Sequence, residues 1–144
     1  MDRIRVLLAD DQPAIFDGLR QILGPEYEIV GEVQDGVALL AAAVELEPDV
    51  IVLDVTMPRL GGIIAARRIK RALNGVQIVF LTTHTEEIYA EAAFKAGGSA
   101  FVFKSSAEEE LVAAIRESLQ GRKFLTRALT GALSLEKGGE IVPE

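Results

Sequence analysis

Two adjacent aspartates, Asp10 and Asp11, close one apolar run of the chain, Asp54 closes a second and Lys104 a third. Thr82 and Thr83 end another run of the same kind. Carboxylates brought together repel one another unless a cation lies between them. Hard oxygen ligands suit Mg²⁺, which takes one or two carboxylates together with waters and phosphate oxygens. Three carboxylates, a divalent ion and one ammonium cancel in formal charge, so such a site could receive a phosphoryl group without gross charge excess. The chemistry these residue types allow is metal-assisted handling of phosphate, provided the fold brings them together.

The elements that must do so alternate regularly along the chain. Ile4–Ala9 is a short apolar run, followed by Gln12–Leu23, where Ile15, Leu19, Ile22 and Leu23 recur at helical spacing. Tyr27–Val33 reads as a strand after the Gly24-Pro25 stop, and Val37–Leu46 as an Ala/Leu-rich helix. Asp49–Asp54 is a strand, Gly62–Leu73 a helix, Val76–Thr82 a strand, and Glu86–Ala96 a helix stopped by Gly97-Gly98. Ala100–Phe103 is the last strand, and Ser106 is placed to cap a final helix to about Leu119, with Glu108, Glu109 and Glu110 in its first turn. Strands this continuously apolar suit a parallel sheet covered by helices on both faces. Right-handed crossovers then predict a doubly wound five-stranded α/β domain, and the arrangement expected for it is flavodoxin-like (β/α)5 with strand order 2-1-3-4-5. In that order the first and third strands are neighbours, and every candidate residue falls on the carboxyl edge of the sheet, where ligands bind in open α/β folds.

Composition narrows the class. The 144 residues are 49% hydrophobic and 26% charged, which fits one globular domain. There are no cysteines, so disulfides, thiol nucleophiles and Cys-based metal sites are excluded. No apolar run has the length to span a bilayer and the N-terminus does not look like a signal peptide, so no membrane partner and a cytoplasmic location are expected. A net charge of −7 argues against nucleic-acid binding by this chain alone.

"LLADDQP", "VLDVTMPRLGG", "FLTT" and "AFVFKS" together resemble the signature blocks of the response-regulator receiver domain of two-component signalling. The likeness runs from about Arg3 to Gln120, and "EAAFKAGGSAFVFK" is similar to the NarL/FixJ branch, whose members usually carry a LuxR-type helix-turn-helix domain after the receiver. The resemblance implies that Asp54 accepts a phosphoryl group from a phosphohistidine on a sensor histidine kinase. It implies that Asp10, Asp11, Asp54 and the backbone carbonyl of Thr56 hold Mg²⁺, and that Lys104 neutralises phosphoryl oxygens. Thr82 matches the switch hydroxyl, Phe101 the aromatic switch that packs inward, and Thr56 and His84 the positions that tune the lifetime of the phosphoryl group. By the same likeness the module is a signalling switch that catalyses only its own phosphorylation and dephosphorylation, with a phosphorylation-dependent homodimer expected.

Plainer roles compete at each position. Asp10-Asp11 could be a helix cap, Lys104 a surface lysine, Thr82 and Thr83 β-formers, Phe101 core, and His84 an exposed loop residue. Phe101 replaces the frequent Tyr of the family, Gly61 stands where a polar residue is common, and Ser105 stands where many receivers have Pro. A nucleotide- or flavin-binding module of the same architecture is the main rival, but its first loop would be Gly/Ser-rich rather than Asp-Asp-Gln-Pro.

Residues 1–120 are expected to form the receiver and 121–144 a linker or tail. No strand is read after Gly121; instead Leu125, Ala128, Leu129, Ala132 and Leu133 fall at helical spacing, and "EKGGEIVPE" reads as a flexible tether. The expectation is a chain cut in an interdomain linker, contacting DNA only through a missing C-terminal domain. The alternative is a free-standing receiver acting by protein–protein interaction.

Overall fold

The computed structural model describes residues 2–131, 133–135 and 141–143. Its elements run β1 (Ile4–Ala9), α1 (Ile15–Leu23), β2 (Tyr27–Val33), α2 (Gly36–Leu46), β3 (Val50–Leu53), α3 (Gly62–Ala72), β4 (Gln77–Thr82), α4 (Glu87–Lys95), β5 (Ala100–Phe103), α5 (Ala107–Leu119) and β6 (Phe124–Leu125). The strands form one parallel sheet in the order β2-β1-β3-β4-β5-β6, so the expected 2-1-3-4-5 order holds and gains a short sixth strand.

The strands lack polar alternation because each parity of residue meets its own helical layer. Leu7, Ile51, Ile78, Phe80 and Phe101 pack with Leu39 of α2, Ile69 of α3 and Phe94 of α4. Val6, Leu8, Val52, Val79, Leu81 and Val102 pack with Leu19 of α1 and with Leu111 and Ile115 of α5. A strand covered on both sides has no position left for a solvated side chain until it ends.

Helix starts differ from the periodicity reading where side chains capture the backbone. α1 begins at Ile15 rather than Gln12, because the Asp10 carboxylate accepts from the Gln12 N–H at 2.9 Å and holds that loop out of the helix. Asp35 caps α2, accepting from the Ala38 N–H at 2.8 Å. Ser106 does stand at the N-cap of α5, but its hydroxyl makes no capping bond, and Lys104–Ser106 forms a 3₁₀ turn instead.

The region after Gly121 departs furthest. It contains a strand, β6, and a 3₁₀ turn at Arg127–Leu129 in place of the expected helical stripe. The cause lies in distant pairing: the Phe124 and Thr126 N–H groups are bonded to the carbonyls of Ser99 and Phe101, which commits the backbone to the sheet edge. Beyond it, β7 (Leu133–Leu135) pairs antiparallel with β8 (Ile141–Pro143), so Ile141–Pro143 of the expected tether is a paired strand. Ala132 of the expected stripe and residues 136–140 and 144 of the tether lie outside the described residues.

Candidate functional site

The neighbouring ends of β1 and β3 place Asp10 and Asp54 side by side. Both are buried, whereas Asp11 is exposed at the rim. One carboxylate oxygen from each of Asp10, Asp11 and Asp54 falls within a cluster no more than 4.8 Å across. This acidic triad is able to hold a metal ion. The Lys104 ammonium enters from the end of β5 and lies 2.7 Å from Asp10 Oδ2 and 2.9 Å from Asp54 Oδ2. Burial works against its charge, but the hydrogen bonds it donates to Asp10 and Asp54 and their negative charge outweigh it, and the Lys104 pKa is raised.

Two glycines let the surrounding backbone come this close. A Cβ on Gly62 would lie 1.9 Å from the Asp54 carbonyl oxygen, and one on Gly36 would lie 1.8 Å from that of Leu60. The Gly62 N–H also donates to the Val55 carbonyl at 2.9 Å. The starts of α2 and α3 are thereby drawn onto the β3–α3 loop, which turns through Arg59 at a φ of 69°.

Across the opening, Thr56 Oγ1 and His84 Nε2 share a hydrogen bond at 2.6 Å. The His84 ring stacks on Tyr89 of α4 with centroids 4.2 Å apart. His84 is therefore half-buried and engaged, not the free loop residue its position in the sequence suggested. Thr82 is fully buried and its hydroxyl accepts from the His84 N–H at 3.1 Å; Thr83, not Thr82, lines the cleft. Phe101 is also fully buried and meets Phe103 edge to face. The cleft over Asp54 measures about 200 Å³ and is bordered by Asp11, Gln12, Thr56, Thr83, His84 and Lys104. Gln12 is the cleft residue that carried no role in the sequence, and Thr83, which competed there as a plain β-former, also borders the cleft. A larger groove of about 230 Å³ lies alongside, between Ile15, Leu19 and Ile22 of α1 and the start of α5, with Lys104 on its border.

A parallel sheet of order 2-1-3-4-5, with an acidic triad and one lysine at its carboxyl edge, defines the receiver class of signalling modules. The chain belongs to the response regulator receiver domain family, matching it over residues 6–116. It is 41% identical over 133 residues to the uncharacterized transcriptional regulatory protein YxjL of Bacillus subtilis, covering 91% of this chain and 61% of that protein. It is 35% identical over 130 residues to the transcriptional regulatory protein LiaR of the same organism, covering 89% and 62%. Among solved structures, a LuxR-family response regulator from Aurantimonas sp. SI85-9A1 superposes with a TM-score of 0.85 at 35% identity, covering 90% of this chain and 94% of that one. RcsB, solved as dimers bound to DNA, superposes at 0.81 with 27% identity, covering 90% and 67%. The chain thus spans about three-fifths of the two Bacillus regulators. Among the described residues no helix is long and apolar enough to cross a membrane.

Proposed function

We propose that this chain is the phosphoacceptor receiver of a two-component response regulator, with Asp54 as the acceptor. The observation that carries the reading is the setting of Asp54: buried at the end of the central strand, beside Asp10, with the Lys104 ammonium 2.9 Å from one oxygen. An Asp54 oxygen attacks the phosphorus of a phosphohistidine on a sensor histidine kinase. The P–O bond forms as the P–N bond breaks, and the freed imidazole leaves with the electron pair. Lys104 turns from Asp54 to the phosphoryl oxygens, and the backbone N–H of Thr56, now 3.3 Å from Asp54 Oδ1, donates to the same charge.

The donor set fits Mg²⁺. Its side-chain ligands are all carboxylate oxygens, from Asp10, Asp11 and Asp54, and their charge exceeds that of Lys104 by two. Asp10, Asp11, Asp54 and the Thr56 carbonyl would hold the ion, which when bound would supply charge neutralisation and orientation of the phosphoryl group.

Thr82 serves as the switch, leaving its bond with the His84 N–H to meet a phosphoryl oxygen. Phe101 relays that movement by packing, since it is already inside and has no hydroxyl to place. Thr56 and His84, joined across the cleft, govern water access and so the lifetime of the phosphoryl group. The kinase approaches over the cleft and the adjoining α1–α5 groove. Residues 1–120 carry the phosphoacceptor machinery, and the output is transcriptional, through a phosphorylation-dependent homodimer and a DNA-binding domain beyond this chain, in the cytoplasm. The regulatory descriptions of YxjL and LiaR and the DNA-bound dimers of RcsB support that assignment.

Incubation with acetyl phosphate and Mg²⁺ tests the reading. Intact mass is expected to rise by one phosphoryl group, and a chelator or Asp54→Asn is expected to abolish the gain. Equal labelling of Asp54→Asn would overturn it.

A further inference from the structure

The chain does not leave the domain where α5 ends. It turns back and lays β6 on the outer edge of β5, pairing Ala100 with Phe124 and Phe101 with Leu125. The Phe124 N–H donates to the Ser99 carbonyl at 3.1 Å and the Thr126 N–H to the Phe101 carbonyl at 2.8 Å. Leu125 and Leu129 are buried in the same cluster as Phe101 and Phe103. A strand of two residues has too few ladder bonds to hold itself, and a buried carboxylate supplies the rest. Glu110 of α5 is 4% exposed; its Oε1 accepts from Thr126 Oγ1 at 2.6 Å and its Oε2 from the Arg127 N–H at 3.1 Å. Both carboxylate oxygens are bonded, as a buried charge requires.

We propose that Phe124–Leu129 is a clasp, locked by Glu110, that ties the onward chain to the strand bearing Phe101, so that the state of Asp54 is read out through β5 and β6. The proposal rests on the phosphoacceptor reading above. Lys104 directly follows β5 and Thr82 ends β4. When both are anchored on phosphoryl oxygens, the end of β5 is held more tightly, and a strand bonded to β5 opens less often. On this account Glu110 is a positioning residue: it touches no reacting atom and acts through Thr126 and Arg127. The packed receiver then extends to Leu129, and whatever follows is tethered from the sheet edge beside Phe101 instead of from the end of α5.

Amide hydrogen exchange of the 144-residue chain, with and without Mg²⁺ and beryllofluoride, tests this. Thr126 and Leu129 are expected to be protected in the unmodified protein, and the phosphoryl mimic to slow their exchange at least threefold. Glu110→Gln turns an NH2 toward one of the two donors; exchange in this segment is expected to rise at least tenfold and its response to the mimic to vanish. Peptides from β1 and β3, and labelling by acetyl phosphate, should stay as in the wild type. Thr126→Val, which removes only the hydroxyl, is the second variant and is expected to act in the same direction should Glu110→Gln fail to fold. Exchange of the wild-type segment at the rate of an unstructured peptide would overturn the clasp. Protection indifferent to the mimic, in protein shown by mass to take the phosphoryl group, would overturn the readout. A full response in both variants would remove Glu110 from it. Failure of labelling altogether would instead defeat the phosphoacceptor reading and the readout with it, while the protection of the unmodified segment would still report the clasp.

Discussion

Lys104 holds the charge balance of the cleft: its ammonium bridges Asp10 and Asp54, two buried carboxylates at the ends of neighbouring strands. Lys104→Met leaves that pair without a counter-charge. In chelator it is expected to lose about 2–3 kcal/mol of stability, somewhat less than for breaking a fully buried ion pair because the lysine is partly solvated. Mg²⁺ should then raise the melting temperature more in the variant than in the wild type, since the metal answers a larger uncompensated charge. The sign of the pH dependence follows from the raised pKa of Lys104. Its stabilisation is fully present below the ordinary lysine value of about 10.4 and is lost as pH rises through the higher folded-state value. Metal-free denaturation curves of wild type and Lys104→Met should therefore differ at pH 7 and draw together above about pH 10.5. A gap that widens with pH would refute the pairing.

Among the elements, the glycines separate those that position the site from those that do not. Gly62→Ala drives a methyl into the Asp54 carbonyl, and the backbone must give way, so a loss of about 2–3 kcal/mol and slower labelling of Asp54 are expected. Gly18 lies within α1 with no atom within 4 Å of a built Cβ. Gly18→Ala is expected to gain about 0.5–1 kcal/mol, the ordinary helical advantage of alanine. Chemical denaturation of the two variants checks the contrast, and a neutral Gly62→Ala would show that the α3 start does not hold the loop. The strands were legible because helices cover both faces of the sheet and leave unbroken apolar runs, and Asp10, Asp54 and Lys104 were legible because they interrupt those runs at the same edge. β6 was not: its residues are fixed by the carbonyls of Ser99 and Phe101, more than twenty positions away, and two residues carry no period. Glu110 carried a signal that went unread, since it falls on the buried stripe of α5 with Ala107, Leu111, Ala114 and Ser118. The Thr56–His84 bond joins two loops 28 residues apart and has no sequence signature at all.

The chain as a whole carries a net charge of −7. On the proposed reading, phosphorylation would shift an existing equilibrium at the β4–β5 side, where Tyr89 touches the cleft through His84 and Ile88 stands exposed on α4. Sedimentation velocity is expected to show a concentration-dependent rise in sedimentation coefficient on phosphorylation, and Thr82→Ala to blunt it while labelling persists. A profile unchanged at every concentration would assign this face to another partner. Gel shifts with this chain are expected to show no DNA binding in either state, because its negative charge repels the phosphates.

The central claim is that one carboxylate, Asp54, carries the phosphoryl group. Borohydride reduces an aspartyl acyl phosphate to homoserine and leaves free carboxylates intact, so it marks the acceptor in the chain itself. After acetyl phosphate, Mg²⁺ and borohydride, peptide mapping is expected to find homoserine at position 54 and nowhere else. Homoserine at Asp10 or Asp11, with an unaltered residue at 54, would contradict the account.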